Sequence, residues 1–375
     1  MTAKQVGDGE RAMSESAATV PIGVHLNGSV NLPDAEAVFE TTADLYGTSL
    51  KRMPDGETGP RQGWVLAMLP RFRAVEQLVE RDGRDRTGAM DVSHDDGTPE
   101  IPMPPVFALR EGVSPDDIVF EDLGYATAAI ESYAVFSELK RRGVIEDEVR
   151  FQVSLPTPLA GSGFAAQEDG PAVMAAFEKR LFAEIATIAD AIPHDQLAIQ
   201  WDVAYEIGII EGILMVGIDD PFDPLVAQLV ELASVVPPDV QLGYHLCYGD
   251  IPDTPGAVEG KHFVEPRDTS LLVKLANAIS SGVDRPIHWF SMPVPIARDD
   301  DAYFEPLTEL RLPDGCELYL GLVHHQDGAE GARRRIATAQ RYVPAFGVAS
   351  ECGLGRKPTE LVTRTLEIQR DLVKS

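Results

Sequence analysis

Apolar and polar positions alternate along this chain in two rhythms. Short apolar runs, most of them closed by Gly, Pro or a polar residue, have strand character: 21–29, 50–57, 148–156, 196–204, 240–248, 286–294, 317–325 and 345–353. Between them lie longer stretches with helical spacing, at 34–47, 170–192, 223–236, 269–280 and 329–343. The second of these sets Met174, Phe177, Leu181, Ile185 and Ile188 along one face. Eight strands alternating with helices predict an α/β protein, a (β/α)8 TIM barrel. No glycine-rich dinucleotide fingerprint follows the first run, which disfavours a doubly wound sheet.

Two stretches break the rhythm. Residues 81–118 and 249–268 are irregular and follow the second and fifth expected strands, so both are expected to be long loops over the C-terminal face. Residues 1–20 read as a polar tail, and 21–375 as one barrel domain.

The strand ends carry the chemistry. His25 and Asn27 close the first run, and Asp55 and Glu57 the second. Asp202, with Tyr205 and Glu206, closes the fourth, and His245 and Cys247 the fifth. His324 and His325 close the seventh, and Glu351 and Cys352 the eighth. In a barrel these positions share one mouth. Residues two apart on a strand project to the same side, so His245 and Cys247 are able to chelate one ion, and Cys352 comes to the same mouth. One imidazole and two thiolates suit zinc. The competing reading of "YHLCY" is an ordinary buried strand end. Glu57 and Arg61 have their own bland reading, a salt bridge at the barrel mouth, and Cys316 reads as structural.

Composition narrows the setting. The chain has 375 residues, with 32 basic against 60 acidic, a formal charge of −28. Such a field repels nucleic acid, and no basic cluster offsets it. The most apolar run, 207–218, is short and holds Glu211, so no membrane span is expected. Three cysteines and no apolar leader point to a reducing compartment, the cytoplasm. No oligomeric state is read from these features.

"YHLCY" resembles the H-x-C-Y motif of cobalamin-independent methionine synthases, and "SECGLGR" (350–356) their D-C-G-L-x-x-R motif. "MPDGETGPR" (53–61), "IQWD" (199–202) and "HLNGSVNLP" (25–33) are similar to further motifs of that family, in the same order. The resemblance spans the chain after residue 20 and implies the catalytic C-terminal barrel alone. It implies zinc as cofactor, held by His245, Cys247 and Cys352, with Glu57 and Asp202 binding the amino group of an amino-thiol. The family's fourth ligand is a glutamate where this chain has Ser291 or Met292; Glu265 is the substitute in reach. Val203 and Ala204 replace the Glu-Pro after Asp202.

The resulting expectation is a methyltransferase-like enzyme: zinc activates a small-molecule thiol, which takes an alkyl group, most simply methyl, from an alkyl donor. His324 or His325 is expected to protonate or orient the leaving group. Asn27, Arg61, Tyr205, Glu206 and Tyr248 are expected to line the substrate pocket. Three alternatives stand beside it: an epoxide-opening thiol transferase on the same zinc barrel, a metal-free barrel that binds or decarboxylates a tetrapyrrole, and a non-catalytic binding protein.

Overall fold

A computed structural model describes residues 20–83, 104–214, 219–249 and 266–374. Nine strands are present among them: β1 (Arg52–Pro54), β2 (Leu78–Arg81), β3 (Val106–Leu109), β4 (Arg150–Pro156), β5 (Leu197–Val203), β6 (Gln241–Leu246), β7 (Trp289–Pro293), β8 (Glu317–Gly321) and β9 (Gly347–Val348). Seven of them form a parallel sheet in the order β1-β4-β5-β6-β7-β8-β9, curled into a half-barrel with helices packed against it. Sequential order without reversals is the signature of repeated strand–helix–strand crossovers.

The alternation of each strand decides the two faces. In β5 the residues Leu197, Ile199, Trp201 and Val203 face one way, and Ala198, Gln200 and Asp202 the other. The first set joins the large apolar core with Tyr244, Phe290 and Leu320, where the helices pack. A small separate cluster, Ala198, Trp289, Tyr319 and Ala349, fills the inside of the curl. Both faces are covered, so the strands are buried almost throughout, as parallel strands must be.

The expected helices form as Ala35–Tyr46, Gly170–Ala191, Phe222–Val235, Ser270–Gly282 and Gly328–Ala339, joined by Tyr125–Arg141 and Thr359–Val373. Asp34 caps the first, accepting from Ala37 N at 2.9 Å. No described helix is long and apolar enough to cross a membrane.

Two expectations change. The run 21–29 is not a regular strand; it contributes only isolated bridges, with Val24 pairing with both Leu50 and Val348, at the two edges of the sheet. Gly28, at φ 129°, lies between the bridges of Val24 and Ser29. The stretch 81–118 is not wholly irregular: β2 and β3 pair antiparallel, and residues 84–103 lie outside the described residues. So do residues 250–265 of the other expected loop and residues 1–19 of the expected tail.

Candidate metal centre

β6 carries His245 toward the inside of the curl, and the chain leaving it brings Cys247 to the same side. Cys352 arrives from the turn after β9. One ligand atom from each of the three lies within 4.8 Å of the others. His245 is 2% exposed, and neither of its ring nitrogens meets a hydrogen-bond partner among the described residues. A buried imidazole left unpaired is costly, unless a lone pair is offered to an ion. This donor set of one nitrogen and two sulfurs fits zinc.

The local field favours thiolate. The neighbouring Cys247 thiol, followed by His245 and Arg356, holds the Cys352 thiol well below its usual range, against the opposing effect of burial. Arg356 Nη2 lies 3.9 Å from Cys352 Sγ, and Gly249 N donates to Cys247 Sγ at 3.3 Å. A backbone donor and a guanidinium on sulfur both stabilise negative charge there.

The candidates for a fourth ligand resolve unequally. Ser291 pairs with His245 in the β6–β7 register, but its hydroxyl donates to Asn27 Oδ1 at 2.8 Å. Met292 points the other way, into the helix-side core. Glu265 lies outside the described residues. Asn27 in turn donates to the Ser350 carbonyl at 2.7 Å, and Ser350 Oγ to the Cys352 carbonyl at 2.7 Å. A chain of buried and partly buried hydrogen bonds therefore runs from the strand beside His245 to the backbone of Cys352.

A second group of expected residues gathers one strand away. Asp202, paired in register with His245, accepts from Gln200 Nε2 at 2.8 Å. Burial and the nearby Glu57 push its carboxyl well above the usual range. Burial likewise pushes Glu57 up to about 8, with Arg61 opposing and Asp55 and Cys352 adding to the rise. Two neighbouring carboxyls shielded from water cannot both ionise cheaply, and a cation beside them would relieve both.

Arg61 does not bridge to Glu57. Its guanidinium meets Asp55 Oδ2 at 2.6 Å, and Ser132 and the Glu57 backbone N–H complete the Asp55 carboxylate. Glu206 is buried beside Thr157 with Oε2 unpaired among the described residues, and burial raises it to about 7. It lines neither the cavity beside Cys352 nor the larger one beside Glu57. Tyr248 is buried, and burial raises its hydroxyl. The Tyr205 ring stands 6.3 Å from that of Trp64. Cys316 sits at the start of β8, away from the β9 turn that carries Cys352, and burial pushes it up to about 12.

A cavity of about 40 Å3 joins Cys247 and Cys352 to both histidines and Glu351. His324 Nε2 is 2.9 Å from the Val294 carbonyl, and Nδ1 is 3.5 Å from Glu351 Oε2. Burial lowers the His324 pKa, with Glu351 opposing. Glu351, expected at the mouth, thus has His324 as its partner. Tyr125, whose hydroxyl lies in the field of Glu57 and Asp202, is not marked by the sequence pattern. Tyr125 opens a helix rather than closing a strand, so no strand-end rule points to it.

No protein-family model matches the chain, and no curated protein matches it by sequence. Solved structures do. A Listeria monocytogenes protein assigned as a vitamin-B12-independent methionine synthase superposes with a TM-score of 0.54 at 13% identity, covering 95% of this chain and 98% of that one. A B12-independent methionine synthase from Shewanella sp. W3-18-1, in complex with selenomethionine, gives 0.54 at 12% identity, covering 95% and 97%. At these identities the likeness is one of fold, and it extends over nearly the whole of both chains.

Proposed function

We propose that this protein is a zinc-dependent alkyltransferase that joins an alkyl group, most simply methyl, to the sulfur of a small thiol. The observation that carries this reading is the convergence of His245, Cys247 and Cys352 around a buried imidazole with two unpaired nitrogens. We also read the bridges of Val24 to Leu50 and Val348 as closure of a (β/α)8 barrel, which gathers the ends of β6 and β9 at one mouth.

Zinc bound by these three residues would supply the Lewis acidity that keeps a substrate thiol deprotonated near neutral pH. The chain's own residues do the rest. Glu57 and Asp202 bind the ammonium of an amino-thiol, whose charge offsets the burial of two carboxylates. Asn27 and Ser350 fix the backbone of Cys352. His324, with Nε2 anchored on a carbonyl, has Nδ1 turned toward Glu351 and able to hold a proton for the leaving group. His325 borders the same cavity and is the other candidate for that role. A metal-free decarboxylase or a simple binding barrel leaves the unpaired imidazole beside two thiols without a purpose.

The test is a product screen. Zinc-loaded protein is given small amino-thiols with methyl donors in one arm and epoxides in the other, and thioethers are sought by mass spectrometry. Methyl thioether formed by the wild type and lost in Cys352→Ser supports the proposal. Products from epoxides alone would replace methyl transfer with ring opening, and no thioether in either arm would sink the reading.

A further inference from the structure

Beside Glu57 lies a second, larger cavity of about 220 Å3. Pro60, Trp64, Met68, Leu123 and Tyr125 form much of its wall. Its arginines are already neutralised: Arg61 by Asp55 at 2.6 Å, and Arg71 by Asp122 at 2.7 Å. Such a lining holds no surplus cation for a phosphate or a polycarboxylate, and it rewards burial of apolar surface.

Backbone strain marks the same place. Among the described residues three non-glycine residues have positive φ, and two of them, Glu57 at 47° and Trp64 at 53°, line this cavity. Bulky residues rarely adopt that conformation, and strain kept by the surrounding packing concentrates at binding sites. Here it sets the Trp64 indole and the Glu57 carboxyl in the wall of one cavity, with Glu57 in the electrostatic reach of Cys352. An apolar cavity of roughly 150 Å3 already admits benzene, so this one has room for a substituted ring.

We propose that this cavity binds an uncharged aromatic group carried by a substrate, and that it sets the enzyme's choice of substrate. The inference rests on the reading of the neighbouring centre as the site of thiol alkylation. The ring belongs either to the acceptor thiol or to the alkyl donor; the chemistry of recognition is the same.

The full-length zinc-loaded protein is titrated with anisole, a ring without a thiol, while tryptophan emission is followed. Of the three tryptophans, Trp64 alone lines the cavity, and Trp201 and Trp289 are fully buried. Saturable quenching is expected, weakened at least about tenfold in Ala67→Phe, which fills the cavity, with zinc content unchanged. No saturable binding, or equal binding in the variant, overturns the proposal. In cobalt-substituted protein, a preference for benzyl mercaptan over 2-mercaptoethanol that disappears in Ala67→Phe assigns the ring to the thiol. Anisole and 2-mercaptoethanol bound together, with no such preference, assign it to the donor. Anisole binding with no thiol perturbing the cobalt spectrum would leave the cavity standing and remove the thiol chemistry.

Discussion

Ser291 stands opposite His245 in the parallel pairing of β6 and β7, and its hydroxyl is held by Asn27 at 2.8 Å. On the proposed zinc reading, the residue beside the His245 imidazole is thus a support rather than a ligand. Through Asn27 and Ser350 it reaches the backbone of Cys352, across 264 and 323 residues of sequence. Supports of this kind orient ligands without touching the ion.

Ser291→Ala and Asn27→Ala are therefore expected to keep zinc stoichiometry but lower zinc affinity about tenfold or more, read by competition with a chromogenic chelator. Unchanged affinity in both variants would show that Cys352 is positioned by its own turn.

Gly243→Ala is expected to destabilise the fold by about 2–3 kcal/mol, measured by urea unfolding. A Cβ there would lie 2.0 Å from Trp289 Cε2, and Trp289 is fully buried. The indole also donates to Gln200, which holds Asp202, so displacing it loosens the carboxylate as well. A neutral effect on stability would mean that the inside of the curl has slack to absorb a methyl group.

Glu206 makes stability fall as pH rises. Burial lifts its carboxyl from the usual 4.5 to about 7, so between those values the native state keeps a proton that the unfolded chain releases. Its contribution is full below pH 4.5, lost through about pH 7, and flat above. Glu206→Gln should remove this loss. Relative to wild type, the variant gains up to about 3 kcal/mol between pH 4 and pH 8, as read by chemical denaturation. A constant difference across that range would contradict the assignment.

The sequence made much of this legible, for local reasons. Alternation along β6 places His245 and Cys247 on one side, and helical spacing locates five helices closely. Apolar alternation in the first run does not reveal that Gly28 takes a positive φ or that pairing there is limited to isolated bridges. The β2–β3 pair was hidden by the Asp, Gly and Pro of the residues around it. The bland reading pairs Arg61 with Glu57, four residues away, but Asp55, six away, holds the better-placed oxygen. The Ser291–Asn27–Ser350 chain joins three distant segments, and no local pattern encodes such a connection.

Zinc held by His245, Cys247 and Cys352 is the feature on which the proposed chemistry depends. Elemental analysis of the full-length protein, purified without chelator, tests it most directly, with Cys247→Ala and Cys352→Ala alongside. About one zinc per chain is expected in the wild type and little in either variant. A wild type without zinc, or variants that retain it in full, would contradict it.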